Sequence, residues 1–345
     1  MNIDMSIPKV PRGGSENARI PVTVLTGFLG SGKTTLVNHV LTAEHGQRIA
    51  VIENEFGDVP IDNALVIGGD EKIIEMSNGC CLCCTARTDL IDILNTLRDR
   101  ADQFDRIVIE TSGMADPNPV AQTFFVDDDI AAHFRLDAIV TLVDAKHIEQ
   151  HLDEVHTDGV GNQASDQIAF ADRIVINKID LVTAEDIERI EARLRTINQT
   201  AGILTSRHGR VDLEKILGIA AFNRNARTVG EQDWLHDDAH THEPTLSSES
   251  ITVDGEIRLD ALRAWLDAHV AEHGDDLYRL KGILRVAGAD LPHVVQGIHQ
   301  LYDVLPVDLP HPERSTLVFI GRNLDRAALD AGLSACRAEG AVLVG

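Results

Sequence analysis

The chain has 345 residues, which is enough for about two domains of roughly 150 residues each, and 43% of the residues are hydrophobic. The formal net charge is -24, with 31 basic and 55 acidic side chains, so a surface of this kind repels nucleic acid and anionic membranes. No stretch approaches about 20 apolar residues and the N-terminus lacks the apolar core of a signal peptide, so we expect a cytoplasmic protein with reduced thiols.

Residues 20–222 alternate short β-branched runs with helical patterns, and we expect residues 1–19 before them to be a flexible extension. This alternation is typical of an α/β domain with a mainly parallel sheet. The predicted strands are Pro21–Thr26, Arg48–Asn54, Lys72–Met76, Arg106–Thr111, Ala138–Asp144, Arg173–Asn177 and Gly202–Ser206. The predicted helices are Thr34–Glu44, Thr88–Arg100, Lys146–Asp153, Gln163–Phe170 and Ala184–Ile197.

Residues 223–248 lose the apolar periodicity and predict a polar linker, whose histidines are either simply solvated or weak metal ligands: His236, His240 and His242. Residues 249–345 predict a smaller α+β domain, with helices on one face of an antiparallel sheet. Its predicted elements are the strand Ser250–Val253, the helix Leu259–His273, the strands Tyr278–Val286, His293–Leu301 and Ser315–Gly321, and the helix Asp325–Cys336.

A phosphate-binding loop is predicted at residues 27–34, which read G-x-x-x-x-G-K-T between a predicted strand and a predicted helix. Its backbone N–H groups wrap the α- and β-phosphates, Lys33 reaches the β- and γ-phosphates as a catalytic group, and the Thr34 hydroxyl is a Mg²⁺ ligand. The nucleotide-binding residues of this loop are Gly27, Gly30, Ser31, Gly32, Lys33, Thr34 and Thr35.

A base-reading motif is predicted at the end of a later strand, in the sequence Asn177-Lys178-Ile179-Asp180. The Asp180 carboxylate suits the N1–H and the exocyclic amine of guanine, while the Lys178 stem lies along the ring. The pattern therefore favours GTP over ATP. Residues 205–206, which follow the next strand, are candidates for backbone donors to the guanine oxygen.

The strand at residues 106–111 delivers Glu110 beside the phosphate loop, where it either acts on Mg²⁺ through water or orients the attacking water. We therefore predict Glu110 as a catalytic residue and the Gly113 N–H as a contact of the γ-phosphate.

Four of the five cysteines fall within five residues: Cys80, Cys81, Cys83 and Cys84. Thiolates at this density suit zinc, with a redox pair or buried apolar cysteines as alternatives. In an extended backbone Cys81 and Cys83 share a face, and Cys84 joins them where the chain turns into the following helix. The candidates for a fourth ligand are three acidic residues at the end of the second predicted strand, in the acidic segment 53–58, and the extra cysteine: Glu53, Glu55, Asp58 and Cys80.

Together with Glu-Asn-Glu-Phe-Gly at 53–57 and Glu-Thr-Ser-Gly-Met-Ala-Asp-Pro at 110–117, these motifs make the chain resemble the CobW-type GTPases, relatives of the hydrogenase and urease metal-insertion GTPases. Residues 279–282 and 314–321 are similar to the C-terminal domain of that family, in which Lys281 and Arg314 are either client contacts or surface cations. The resemblance implies GTP hydrolysis with slow intrinsic turnover, zinc or cobalt held at a G-C-x-C-C motif, and transfer to a client metalloprotein. Here one extra residue, Cys80, separates the glycine from the C-x-C-C run.

The leading hypothesis is a P-loop GTPase whose nucleotide state controls metal affinity and client docking, with GTP, Mg²⁺ and Zn²⁺ or Co²⁺ as its ligands. The alternatives are a GTPase partner of a cobalt-inserting chelatase in cobalamin biosynthesis and a zinc buffer without enzymatic function. Both a monomer and a homo-oligomer are compatible with the sequence.

Overall fold

The computed structural model describes residues 19–53, 63–67, 73–76, 85–154, 162–222 and 246–338, with backbone only at residue 53 and in the described segments between 63 and 89. The N-terminal strands are β1 (Ile20–Thr26), β2 (Ile49–Glu53), β3 (Asn63–Ile67), β4 (Ile73–Met76), β5 (Arg106–Glu110), β6 (Phe134–Asp144), β7 (Arg173–Asn177) and β8 (Gly202–Thr205). The helices among them are α1 (Lys33–Thr42), α2 (Thr85–Arg98), α3 (Asn118–Val126), α4 (Asp128–His133), α5 (Ile148–Asp153), α6 (Gln163–Phe170) and α7 (Ala184–Ile197).

These eight strands form one sheet in the order β4-β3-β2-β5-β1-β6-β7-β8. Six neighbouring strands, from β2 to β8 in that order, are parallel, and β3 is antiparallel to both β2 and β4. The inner parallel strands β5, β1, β6 and β7 are buried on both faces, which explains their continuous β-branched runs, whereas the edge strand β8 is partly exposed. The predicted α/β domain with a mainly parallel sheet is confirmed.

Three elements of this domain were not predicted. The strand β3 is a short apolar run, Asn-Ala-Leu-Val-Ile, and hydrophobic periodicity cannot distinguish a strand from a helix in a run of this length. Helix α3 contains Pro119 in its first turn, where proline is tolerated because that N–H has no intrahelical partner. Helix α4 is only six residues long and depends on its cap, because the Asp127 side chain accepts from the N–H groups of Asp129 and Ile130.

The second sheet consists of β9 (Leu246–Val253), β10 (Leu277–Leu284), β11 (His293–Ile298), β12 (Leu301–Pro306) and β13 (Ser315–Arg322). It is antiparallel throughout, in the order β12-β11-β10-β13-β9, and carries the helices α8 (Leu259–His273) and α9 (Arg326–Ala335). The predicted α+β class is confirmed, but the prediction of one strand over residues 293–301 is wrong. A tight turn with His299 at a φ of 48° splits that segment into the hairpin of β11 and β12.

The inner strands of the second sheet, β11, β10 and β13, are buried on both faces. On β13, Leu317 and Phe319 pack on the side of α8 and α9, whereas Val318 and Ile320 belong to the hydrophobic core of the N-terminal domain. This alternation follows the two-residue period of a strand. The C-terminal sheet therefore lies between its own helices and the N-terminal domain.

Charged groups are buried at this contact between the domains. The Asp172 carboxylate, before β7, pairs with Arg279 and with Lys281 at 3.0 Å, and the Asp172 and Arg279 side chains are each 1% exposed. Lys281 is therefore a partner of Asp172 rather than a surface cation, whereas Arg314 is half-exposed and pairs with Asp254. No helix in the described ranges is long and apolar enough to cross a bilayer.

Candidate functional site

The phosphate-binding loop lies between β1 and α1 and depends on three glycines in the left-handed region, at φ values of 138° for Gly27, 77° for Gly30 and 105° for Gly32. A Cβ atom at Gly27 would overlap the Leu142 carbonyl oxygen, and one at Gly32 would overlap the Asn177 side chain. These positions therefore require glycine both for backbone conformation and for close packing.

The Lys33 side chain lies across this loop and is only 7% exposed. Its Nζ donates to the carbonyl oxygens of Gly27 at 2.8 Å and of Phe28 at 3.4 Å. The ammonium group is thus held above the backbone that wraps the phosphates of a nucleotide, where it can offset their negative charge.

The Thr34 hydroxyl donates to Oε1 of Glu110 at 3.0 Å. Glu110 is 5% exposed and is the last residue of β5, which is adjacent to β1 in the sheet. The structure therefore brings together the two side chains that the sequence assigned to Mg²⁺ and to hydrolysis. Hydroxyl and carboxylate oxygens are the ligand types that Mg²⁺ takes in proteins.

The loop after β5 packs directly on the phosphate-binding loop. A Cβ atom at Gly113 would lie 2.7 Å from the Leu29 backbone nitrogen, so the two loops touch. The Gln167 amide on α6 donates to the carbonyl oxygens of Gly113 at 3.3 Å and of Ala115 at 3.2 Å. Gln167 is 2% exposed and was not predicted as a site residue, since nothing in its local sequence marks a partner 54 positions earlier.

The Asn177 side chain joins two loops of the site. Its Nδ2 donates to the Ser31 carbonyl oxygen at 2.9 Å, and its Oδ1 accepts from the Gly209 N–H at 3.0 Å. Asn177 is 1% exposed, so both hydrogen bonds are buried. The amide ties the phosphate-binding loop to the segment that follows β8.

Lys178 and Asp180 follow at the carboxyl end of β7. Lys178 has a φ of 62°, and its Nζ donates to Oδ2 of Asp144 at 2.7 Å. Asp180 is exposed in a short 3-10 turn, as a group that contacts an incoming base must be. Burial raises the pKa of Asp144, but hydrogen bonds from Lys178 and His147 outweigh this effect and hold that pKa below its ordinary value. Asp144 thus stays ionised and fixes Lys178.

An open cavity of about 580 Å³ lies beside this motif, lined by Ile179, Thr205, Ser206, Arg207, His208 and Arg210. The Ser206 N–H donates to the Ile176 carbonyl oxygen at 2.8 Å. Of the two backbone donors expected for a guanine oxygen, the one at Ser206 is therefore already engaged in the fold.

The four clustered cysteines lie outside the described residues, as do Glu55 and Asp58, and Glu53 is described only as the last residue of β2. The backbone around them is described: β4 ends at Met76 and α2 begins at Thr85, directly after Cys84. In the part of the chain that the structure describes, no group of three or more His, Cys, Asp or Glu side chains is arranged to hold a metal ion. Cys336 is buried in α9's C-terminal cap, and burial raises the pKa of its thiol.

Residues 21–205 match the family described as CobW/HypB/UreG, nucleotide-binding domain, and residues 246–337 match the cobalamin synthesis protein cobW C-terminal domain. The chain is 36% identical over 325 residues to the zinc chaperone YjiA of Escherichia coli, covering 92% of this chain and 99% of YjiA. It is 32% identical to the zinc-regulated GTPase metalloprotein activator 1 of Schizosaccharomyces pombe, covering 89% of this chain and 83% of that protein.

A solved structure supports the same relationship. The crystal structure of Zn(II)-bound YjiA GTPase from E. coli has a TM-score of 0.71 and 34% sequence identity, covering 93% of this chain and 99% of that chain. The resemblance that the motifs indicated is thereby confirmed over both domains, and the chain belongs to the CobW/HypB/UreG family of nucleotide-binding proteins and carries the CobW C-terminal domain.

Proposed function

We propose that this protein is a GTP-hydrolysing zinc chaperone, which holds zinc as cargo and transfers it to a client metalloprotein under control of the bound nucleotide. Relatives named zinc chaperone and zinc-regulated GTPase metalloprotein activator support this proposal. The observation that carries it is the contact between Thr34 and Glu110, because Glu110 ends β5, and β5 pairs with β2, the strand that leads to the acidic segment at residues 53–58.

In this proposal Lys33 offsets the charge that develops on the γ-phosphate, and the nucleotide's Mg²⁺ is held by the Thr34 hydroxyl with Glu110 nearby. Binding of Mg²⁺–GTP would replace the direct hydrogen bond between Thr34 and Glu110. Asp180 accepts the two N–H donors of guanine, and Lys178, held by Asp144, covers the ring. Turnover without a client is slow, since no arginine finger is identified near the loop in the sequence.

The cargo site is assigned to Cys81, Cys83 and Cys84, with a fourth ligand from Glu53, Glu55, Asp58 or Cys80. Pairing of β2 with β3 and of β3 with β4 makes β2 and β4 parallel, so both end at the nucleotide edge of the sheet. Two strand spacings, or about 10 Å, separate them there. The chain that enters the cysteine segment thus starts close to the acidic segment.

Coupling is supported by the register of β2 and β5, which places Glu53 opposite Glu110. A change at Glu110 when Mg²⁺–GTP binds is therefore one strand spacing, about 5 Å, from the start of the acidic segment. Nucleotide state can assemble or release a metal site through this step, in the way that γ-phosphate contacts order switch segments in other GTPases.

Client docking is assigned to the surface around Leu29 and Met114, which are 74% and 63% exposed. They lie on two loops that touch each other, the phosphate-binding loop and the loop after β5, which this proposal sets beside the γ-phosphate. Large exposed apolar side chains at a site that changes with nucleotide fit a docking surface of switchable affinity. The Gln167 bonds connect the same loop to α6, whose Asp166 pairs with Arg322 of the C-terminal sheet.

Zinc affinity measured by competition with a chromogenic chelator, with GDP and with a non-hydrolysable GTP analogue, tests the coupling. We expect the two affinities to differ at least tenfold in the wild-type chain and to become equal in Lys33→Ala. Equal zinc affinities in the wild-type chain would show that nucleotide and cargo are independent. A parallel titration with cobalt separates a zinc chaperone from a partner of a cobalt-inserting enzyme.

Docking is tested separately with Leu29→Ser and Met114→Ser. Activation of an apo-metalloprotein by the zinc-loaded chain should fall, while GTP binding stays near wild type. Leu291→Ser, which removes a 40% exposed leucine from the C-terminal domain, is the matched control and should leave activation unchanged. Equal effects of all three substitutions would contradict the assignment of this surface.

A further inference from the structure

A second cavity lies between the two domains, at the opposite edge of the first sheet from the nucleotide site. Its volume is about 360 Å³, and its walls come from the starts of β7 and β8 and from β10 and β11. Arg173 begins β7 and Asn177 ends it, so the cavity and the nucleotide site are separated by the length of that strand, about 13 Å. The cavity is therefore distinct from the site described above.

The charge of this cavity is opposite to that of the chain. Four cationic side chains line it, against one carboxylate, that of Asp172: Arg173, Arg195, Lys215 and Lys281. In the whole chain acidic residues outnumber basic ones by 55 to 31. A local excess of cations between low-dielectric walls attracts anions and raises their local concentration.

Asp172 does not neutralise this excess. Its carboxylate is shared by Lys281, at 3.0 Å, and by the buried Arg279, so two cations meet one anion at the cavity wall. Burial lowers the pKa of Lys281, and the Asp172 charge opposes that effect only in part. A bound anion would supply the missing counter-charge.

The other cations are placed by the fold. The Arg173 guanidinium lies over Gly202, where any Cβ atom would overlap it. The Arg195 guanidinium donates through Nη1 to the Ala201 carbonyl oxygen at 2.8 Å, and its Nη2 lies 3.7 Å from Oε1 of Glu191, in a pair that leaves 33% of the Arg195 side chain exposed. Lys215 is exposed, in a short 3-10 turn that ends at the cavity. Planar guanidinium groups together with a flexible ammonium are the donor set that proteins use for phosphate.

The remaining walls combine the apolar residues Ile203, Leu204, Ile219 and Val294 with three uncharged polar residues, Gln199, Thr200 and Gln296. A volume of about 360 Å³ falls in the range of small-molecule sites and exceeds what a single phosphate group fills. Charge and shape together therefore favour an organic molecule that carries a phosphate.

We propose that this cavity is a binding site for a small organic phosphate, held at the seam between the nucleotide-binding domain and the C-terminal sheet. Because β7 and β8 belong to the first domain and β10 and β11 to the second, an occupant contacts both domains at once. Its binding stabilises their observed arrangement by mass action.

Isothermal titration of the full chain with phenyl phosphate and with orthophosphate tests the proposal. The chain is first saturated with Mg²⁺–GDP, so that the phosphate-binding loop is filled. We expect phenyl phosphate to bind with a Kd of about 1 mM or tighter, and orthophosphate more weakly since it leaves the apolar walls uncovered.

Two variants locate the binding. Lys215→Gln and Arg195→Gln should each weaken phenyl phosphate about tenfold, the loss expected for one charge-assisted contact. Arg314→Gln removes a cation from the distant pair with Asp254 and should leave the affinity unchanged. Circular dichroism of each variant before titration verifies that it is folded.

Four results would overturn the proposal: no heat of binding at about 10 mM phenyl phosphate, equal affinity in all variants, benzoate binding as tightly as phenyl phosphate, or displacement by a non-hydrolysable GTP analogue. Equal affinity in all variants would place the binding elsewhere on the chain. Benzoate binding would mean that the cavity selects anions in general, and displacement by the GTP analogue would place the phosphate at the nucleotide site.

Discussion

The Asn177 side chain offers a direct test of how the nucleotide site is held together. Its two buried hydrogen bonds join Ser31 in the phosphate-binding loop to Gly209 after β8, at 2.9 and 3.0 Å. The change Asn177→Ala removes both at once and leaves the Ser31 carbonyl and the Gly209 N–H without this partner. Gly209 is buried at a φ of 65°, and a Cβ atom there would lie 2.9 Å from the Leu36 nitrogen, so this segment has little room to rearrange.

The magnitude follows from the number of groups that lose a partner. A buried polar group left without a hydrogen bond costs about 1–3 kcal/mol, so two such groups lower the free energy of unfolding by roughly 2–6 kcal/mol. Part of this loss falls on nucleotide binding, because the loop has to be ordered before its N–H groups can meet the phosphates. If about 1.4–2.8 kcal/mol of the lost free energy falls on nucleotide binding, the affinity for GDP decreases ten- to a hundredfold.

The chain provides a matched control in Asn198, which is also fully buried. Its Nδ2 donates to three carbonyl oxygens at the end of α6 and just after it, and its Oδ1 accepts from Thr200 and Ala201 before β8. Asn198→Ala therefore removes more hydrogen bonds than Asn177→Ala, but at the edge of the sheet away from the nucleotide. It should lower stability at least as much and leave GDP affinity within about twofold of wild type.

Urea unfolding gives the stability of both variants, and titration with a fluorescent GDP analogue gives the affinity under conditions where each is folded. If Asn177→Ala bound GDP as tightly as the wild-type chain, the amide would not support the loop. Equal loss of affinity in both variants would indicate general destabilisation.

Asp180→Asn should lower the affinity for GTP by about 30- to 1,000-fold and shift the preference toward xanthine nucleotides. If the wild-type chain bound ATP and GTP with affinities within about threefold of each other, another group would select the base. Replacing Cys81, Cys83 or Cys84 by Ser should weaken zinc binding by several orders of magnitude, whereas Cys80→Ser should change it little. Zinc titrations that show tight binding in the Cys81 variant and lost binding in the Cys80 variant would mean that the inserted residue lies elsewhere in the motif. Asp172→Asn should lower the free energy of unfolding by about 3–5 kcal/mol because it leaves Arg279 and Lys281 facing each other at the domain seam, whereas the exposed Asp254→Asn should change the urea midpoint little. Burial raises the pKa of Asp172, but the Arg279 and Lys281 charges outweigh this effect, so the pKa in the folded chain lies below the unfolded value near 3.9. The stabilisation by the Asp172 carboxylate is therefore complete above about pH 5 and is lost on acidification. In Asp172→Asn, the free energy of unfolding should depend less steeply on pH in this acidic range.

The local sequence determined the features that depend on spacing within a few residues. The G-x-x-x-x-G-K-T run required glycines at positive φ before a helix, and the structure has them at Gly27, Gly30 and Gly32. Helices α6, α7 and α8 begin and end where their apolar periodicity predicts. The start of α7 is also marked by a capping box formed by Thr183 and Asp186. The parallel sheet could be expected from β-branched runs, because strands that are buried on both faces, as β1, β5, β6 and β7 are, require such runs.

Other features were decided by contacts between residues far apart in the chain. The turn at His299 has no turn-forming pair in its sequence; it is held where the imidazole contacts the Gly274 carbonyl oxygen and the ring of Phe170, in the other domain. Nothing in the sequence around Lys281 indicates that this side chain has a buried partner. Its ion pair with Asp172 forms only because the C-terminal sheet packs against the first domain.

The same reason applies to the site and to the cavity. Asn177 was predicted from its motif, but its partners lie 146 and 32 positions away, and the role of Gln167 depends on a loop 54 positions earlier. A motif specifies which chemical groups are present and their order along one strand. The strand order, which places β7 beside β6 and β8, and the packing of the second sheet against the first domain decide which of these groups meet. Both depend on the apolar surface that the two domains bury together, and no local pattern in the sequence specifies them.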